Sequence, residues 1–173
     1  GLQILDAVTG DEEAQILDPG YYVAYPMPYV ADIDLDGTDE ILLNGHVFDH
    51  NGEVEFTCVE GGGALHGAPI QADGDVNAEI VFSGQGKSVL CDDDGTLIWS
   101  IERGGMTGWM GVPLVLDVDG DGLQEMGIPE YGAYTVYEAD GSVVWTVATH
   151  DASGMSGSIA WDMDQDGVDE ILY

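Results

Sequence analysis

Repetition is the feature that most constrains this chain. The pattern Asp-x-Asp-x-Asp-Gly-x-x-Glu occurs intact three times, over residues 32–40, 117–125 and 162–170. A fourth acidic run, Asp73-Gly-Asp-Val-Asn-Ala-Glu79, falls between the first two. The leading aspartates, Asp32, Asp73, Asp117 and Asp162, lie 41, 44 and 45 residues apart. A second motif alternates with the first: an apolar stretch, a polar turn closed by glycine, and another apolar stretch. Its glycines, Gly10, Gly52, Gly95 and Gly141, lie 42, 43 and 46 apart. Two motifs holding one period of about 43 residues mark a repeat architecture, in which each unit buries its faces against its neighbours.

Each period reads as four short strands. Apolar β-formers such as Glu40-Ile-Leu-Leu43 and Glu79-Ile-Val-Phe82 leave the acidic loop, and a hairpin with a positive-φ glycine at its turn follows. Four residues beyond each turn glycine stand Phe56, Trp99 and Trp145, with Ala14 in the first repeat. No long window shows a 3.6-residue apolar period. The expectation is an all-β chain, a β-propeller of about four blades of four antiparallel strands. It forms a single repeat domain over 1–173, with acidic loops at 32–40, 73–79, 117–125 and 162–170; a β-sandwich with repetitive turns is the alternative. The motif order places a hairpin at residues 2–16 and loop-flanking strands at 159–173. These terminal half-blades are expected to pair within the chain, closing a ring, or between chains, giving a head-to-tail fibre. Gly1 in place of Met suggests a processed or incomplete chain.

The acidic loops carry the chemistry. In a straight strand, carboxylates at alternate positions repel one another. If the backbone curls, positions one, three and five converge, a glycine at six permits the sharp turn, and the carbonyl at seven turns inward. Such oxygens suit Ca²⁺, which takes ligands at ~2.3–2.6 Å, better than Mg²⁺. The candidate ligands are Asp32, Asp34, Asp36, the Thr38 carbonyl and Glu40; Asp117, Asp119, Asp121, the Leu123 carbonyl and Glu125; and Asp162, Asp164, Asp166, the Val168 carbonyl and Glu170. About three ions are expected. The run with Asp73, Asp75, Asn77 and Glu79 reads as two residues short, without the glycine or the position-seven carbonyl. It is expected to close on its own hydrogen bonds rather than on a tight ion.

These loops resemble the FG-GAP/VCBS repeats of integrin-type and bacterial surface β-propellers, and the resemblance spans essentially the whole chain. It implies calcium between the first two strands of each blade, acting as a structural clip. Glutamate stands at position nine, where the family often has aspartate. The N-terminal Leu-Asp-Ala-Val-Thr-Gly is similar to a quinoprotein hairpin.

Composition bounds the partners. Against 34 Asp and Glu stand two basic residues, Lys87 and Arg103, for a formal charge of −32. Half of the acids lie in the four loops. Three calcium ions would bring the charge to −26, and the remainder also fits a salt-adapted protein. Nucleic acid and anionic membrane surfaces both require basic side chains, and no apolar run reaches the roughly 18–20 residues of a span. The expected setting is extracellular or cell-surface, where calcium is millimolar. The remaining partners are further copies of the chain, a surface glycan or another protein.

No catalytic constellation is evident. His46 and His50 read as exposed turn residues, Ser156 lacks a Gly-x-Ser-x-Gly context, and Gly61-Gly-Gly63 lacks a following Lys-Ser/Thr. The reading is a non-catalytic, calcium-binding module for structural assembly or adhesion. The alternative is a calcium-dependent polysaccharide lyase or carbohydrate-binding propeller, because calcium-loop propellers resemble those of rhamnogalacturonan lyases. Tyr21, Tyr22, Tyr25, Tyr29, Trp109, Tyr131 and Tyr134 are candidate sugar-stacking residues, with core packing as the competing role. Cys58 and Cys91 allow either one bridge or two thiols.

Overall fold

The computed structural model describes residues 2–16, 27–59, 66–102 and 109–173. These form sixteen strands and no helix. The strands are β1 (Leu2–Leu5), β2 (Glu12–Ile16), β3 (Tyr29–Ala31), β4 (Glu40–Leu43), β5 (His46–Phe48) and β6 (Val54–Thr57). Next come β7 (His66–Ile70), β8 (Glu79–Gly84), β9 (Lys87–Cys91), β10 (Leu97–Glu102), β11 (Leu114–Leu116) and β12 (Glu125–Glu130). The last four are β13 (Ala133–Tyr137), β14 (Val143–Ala148), β15 (Ile159–Trp161) and β16 (Glu170–Leu172).

Strands β3–β6, β7–β10 and β11–β14 make three antiparallel sheets, each an up-and-down meander of four. The remaining strands form two-stranded sheets, β1–β2 and β15–β16. The four-strand unit expected from the repeat is present, and the half-units at residues 2–16 and 159–173 form separate sheets.

The core lies between successive sheets, and strand alternation divides it. Ile41 and Leu43 face Ile16, Leu2 and Ile4 on the preceding hairpin, whereas Leu42 joins Val47, Ile80, Phe82 and Val89 between the first and second four-stranded sheets. Val81 and Leu90 face the opposite way, toward Met126, Ile128 and Tyr137 of the third. The second and third strands of each sheet are thus covered on both faces. This accounts for their continuous apolar sequence, since a strand covered on one face only would alternate. The fourth strands β10 and β14 are mostly exposed, with Trp99 and Ile101 of β10 and Trp145 of β14 the partly buried positions.

A second device repeats between neighbours. The hairpins joining third and fourth strands each carry a bulge beside the turn, with the turn glycine at positive φ. Against three of these glycines packs a large side chain from the last strand of the preceding sheet. A Cβ at Gly52 would lie 2.7 Å from Ile16, one at Gly95 would lie 2.9 Å from the Phe56 ring, and one at Gly141 would lie 3.3 Å from the Trp99 ring. Trp99 also donates its indole N–H to the Ala139 carbonyl at 2.8 Å. Ala14 occupies the aromatic's register position opposite Ile4, and Ile16, two residues on, makes the glycine contact in its place.

Cys58 and Cys91 are free thiols facing each other across the first two four-stranded sheets, where thiol contact and burial hold the Cys58 pKa far above normal. Replacing Trp99 removes both the ring on Gly141 and the bond to Ala139. Trp99→Ala is expected to cost about 2–3 kcal/mol of unfolding free energy, measured by urea denaturation.

Candidate metal centres in the acidic loops

Each loop joins the first strand of a sheet to the second, and the glutamate that opens the second strand closes it. Glu40 Oε2 accepts the Ile33 N–H at 2.9 Å, Glu125 the Val118 N–H at 2.5 Å, and Glu170 the Met163 N–H at 2.8 Å. In each case the donor lies seven residues earlier. Within the loop, the position-five N–H donates to the position-three carboxylate, as Asp36 does to Asp34, Asp121 to Asp119 and Asp166 to Asp164. The position-six glycine N–H donates to position one, as Gly37 does to Asp32, Gly122 to Asp117 and Gly167 to Asp162. Short backbone-to-carboxylate bonds thus curl the chain and turn the acids to one side.

Carboxylate oxygens of Asp32, Asp34 and Asp36 lie within 4.8 Å of one another, as do those of Asp117, Asp119 and Glu125, and of Asp162, Asp164 and Glu170. Glu40 is outside the first tight trio, and Asp121 and Asp166 are outside the other two. Thr38, Leu123 and Val168, at position seven, place their N–H groups on Asp36, Asp121 and Asp166. Asp32 Oδ1 is buried with no hydrogen-bond partner. A buried, unpaired carboxylate oxygen is costly, and a hard cation between the acids would satisfy it. The donor set therefore fits a divalent ion with oxygen preference.

Glu40 and Glu125 are nearly buried, at 3% and 2% exposure. Burial raises both pKa values, and the neighbouring carboxylates Asp34 and Asp36, or Asp119 and Asp117, raise them further. A cation at the loop centre would act in the opposite direction on the same groups.

The second loop corrects the alignment made from sequence. Glu79 Oε2 accepts the N–H of Ala72, again seven residues back, at 2.6 Å. Asp75 N–H donates to Asp73, and Asn77 N–H to Asp75. The register is the same as in the other loops, so nothing is deleted. Position one is Gln71, while Asp73 and Asp75 are at three and five, Val76 replaces the glycine at six, and Asn77 is at seven. Backbone geometry agrees. Position four is left-handed in all four loops, at Leu35, Gly74, Gly120 and Gln165, whereas position six is left-handed only at Gly37, Gly122 and Gly167. Gln71 Nε2 donates to the Asn77 carbonyl at 2.7 Å, so a neutral amide joins position one to the position-seven carbonyl. This agrees with closure on internal hydrogen bonds. Asp73, Asp75 and Glu79 nevertheless converge, and Glu79 Oε1 is buried without a partner. Sequence alignment missed Gln71 because it rewarded matching aspartates, whereas the glutamate offset is the invariant.

Other residues fall differently from expectation. His46 is a buried strand residue, not an exposed turn; its Nδ1 meets Thr57 Oγ1 at 2.8 Å, and burial lowers its pKa. Ser156 Oγ donates to Asp151 at 2.6 Å, and Ser153 Oγ and Tyr173 OH donate to the same carboxylate at 2.7 and 2.9 Å. These bonds hold the Asp151 pKa far below the usual range. This hub ties the residue after β16 to the third sheet, and its Asp-x-Ser turn was its only sequence signal. Among the aromatic candidates, Tyr134 is buried while Tyr29 and Tyr131 are exposed. Tyr21, Tyr22, Tyr25, Gly61–Gly63 and Arg103 lie outside the described residues. Lys87 lies 4.0 Å from Glu102.

No protein-family model, including those of FG-GAP/VCBS repeats, and no curated protein matches the sequence. Solved structures do match. The V. cholerae biofilm matrix protein Bap1 superposes with a TM-score of 0.68 at 23% identity, over 86% of this chain and 25% of that one. Rhamnogalacturonan lyase YesW superposes with a TM-score of 0.56 at 20% identity, over 84% of this chain and 27% of that one. The chain spans about a quarter of the length of each. The fold is therefore that of a segment of these β-rich proteins.

Gln71→Ala removes the amide bridge of the second loop. It is expected to lower unfolding free energy by about 1 kcal/mol, by the same amount with and without divalent cation. Chemical denaturation in both conditions checks it.

Proposed function

We propose that this chain is a non-catalytic, calcium-stabilised propeller-type module serving structural assembly or adhesion outside the cell. The observation that carries the reading is the convergence of carboxylates in three loops of one hydrogen-bonded design, with a buried, unpartnered oxygen at Asp32. Calcium bound there would supply positive charge that links the first two strands of a sheet and offsets carboxylate repulsion. The protein's own part is to hold the acids in place through the glutamate-to-backbone bond and the position-six N–H. Serial four-stranded sheets with cores between neighbours support the propeller arrangement. Likeness to a segment of a biofilm matrix protein supports the extracellular setting and the structural role. No helix among the described residues is long and apolar enough to cross a membrane.

Calcium at about 1 mM and sites of about 10⁻⁴ M dissociation constant correspond to about 1.4 kcal/mol of stabilisation per site. Adding EDTA is therefore expected to lower the melting temperature by on the order of 10 °C for three sites. Isothermal titration should count about three ions, and Asp119→Asn, which keeps an oxygen for the Asp121 N–H, should remove one while leaving the apo-state melting temperature nearly unchanged or slightly raised. Unaltered melting after complete chelation overturns the calcium reading.

A lyase or carbohydrate-binding role is the second reading, favoured by the likeness to rhamnogalacturonan lyase YesW and by exposed Tyr29 and Tyr131. Incubation with rhamnogalacturonan and calcium is expected to yield no unsaturated product by ultraviolet absorbance. Product formation would establish the enzyme instead.

A further inference from the structure

We infer that Cys58 and Cys91 are the two halves of a disulfide that staples the first four-stranded sheet to the second. The inference goes beyond the calcium reading and does not depend on it.

The repeat places this pair where the other interfaces have a packing pair. Ala14, Phe56 and Trp99 hold one register position in the last strands of successive sheets, opposite Ile4, Val47 and Leu90. Two residues further on, on the same face of the chain, stand Ile16, Cys58 and Ile101. In the sheet that follows each, the third strand ends on Phe48, Cys91 and Tyr137, set by pairing with Ile41, Ile80 and Met126. Each pair shares one core: Ile16 with Phe48, Cys58 with Cys91, and Ile101 with Tyr137. Two interfaces thus fill this place with large apolar side chains. The one between the first two four-stranded sheets fills it with two small thiols, and a covalent bond there offsets the apolar contact given up.

Anchoring and burial fit a bridge. Cys91 is fully buried and Cys58 partly so, and the two thiols are in hydrogen-bond contact. Both backbones are held: Cys91 pairs with Ile80 and Leu97, and Cys58 N–H donates to the Gly45 carbonyl at 2.9 Å. The chemistry is exchange with a small-molecule disulfide such as oxidised glutathione. One cysteine thiolate attacks the oxidant's S–S bond, releasing one reduced thiol and leaving a mixed disulfide. The second thiolate then displaces the other reduced thiol and forms the Cys58–Cys91 bond. The cysteines give up two electrons and two protons, and the oxidant takes them. Burial and the adjoining thiol keep Cys58 protonated, so exchange is slow in the folded chain and runs through opening of the interface. The same burial shields the finished bond from reductants. Joining residues 33 apart in sequence restricts the unfolded chain, an effect on the order of 10 °C in melting temperature at this chain length.

The test holds the reduced chain at its melting midpoint in a glutathione redox buffer, then cools it. Refolding from urea into the same buffer gives the same readout without heating. The expected product is a monomer lighter by two hydrogens, with a linked Cys58–Cys91 peptide and no thiol titratable by dithionitrobenzoate after denaturation. Its melting temperature should exceed that of the reduced chain by on the order of 10 °C, in EDTA as in calcium. Folded chain kept well below its melting temperature should lose its thiols far more slowly. Cys58→Ala should gain nothing in melting temperature from the same buffer. Two surviving thiols, stable mixed disulfides with glutathione, or a dimer linked between chains overturns the inference. So does a bridged chain that melts no higher than the reduced one, or a Cys58→Ala chain that gains the same shift. Because the readout is taken with and without calcium, failure of the calcium reading leaves this test intact, and failure here leaves the calcium reading standing.

Discussion

The bond from a strand-opening glutamate to a backbone N–H seven residues earlier is the constraint on which the repeat depends. It recurs at Glu40, Glu79, Glu125 and Glu170. It joins the two ends of the acidic loop and sets where the second strand begins. In the complete sheets the carboxylate is buried at the base of the loop, so its loss would leave an unpaired donor in the interior. The loop acids vary around this bond: the second loop replaces aspartate with Gln71 and glycine with Val76 and still keeps the register.

Energetic roles divide cleanly between the faces and the loops. Apolar packing between successive sheets holds the array together, with alternate residues of one strand feeding two different cores. Exposed loops gather most of the like charge, where solvent and counterions lower its cost. Gln71 shows how the two loop designs relate. Its amide joins position one to the position-seven carbonyl from within the protein, whereas the other loops have an aspartate at position one, within clusters of carboxylates that could hold a cation.

Much of this was legible in the sequence. The period, four strands per unit, the hairpin turns and the position of the acidic loops all follow from local rules: turn glycines need positive φ, doubly covered strands are continuously apolar, and acids at alternate positions converge when the chain curls. The half-units at residues 2–16 and 159–173 were legible for the same reason, since motif order alone reveals which strands each contains. Histidine placement was not. His46 looks like a turn residue beside Gly45, yet it lies in a strand covered by its neighbours, and only the stacked sheets reveal that.

What the amino-acid sequence determined by itself was therefore the unit and its chemistry: strands, turns and clustered hard oxygens, each specified by residues close together in the chain. The tertiary structure decided the register of the second loop, the partners of Asp151, and the match of Gly52, Gly95 and Gly141 with a large side chain of the preceding sheet. These depend on groups far apart in sequence and on hydrogen bonds whose geometry no residue pattern encodes. A residue can be exchanged, as Asp is for Gln71, while the backbone bond that defines its position stays the same.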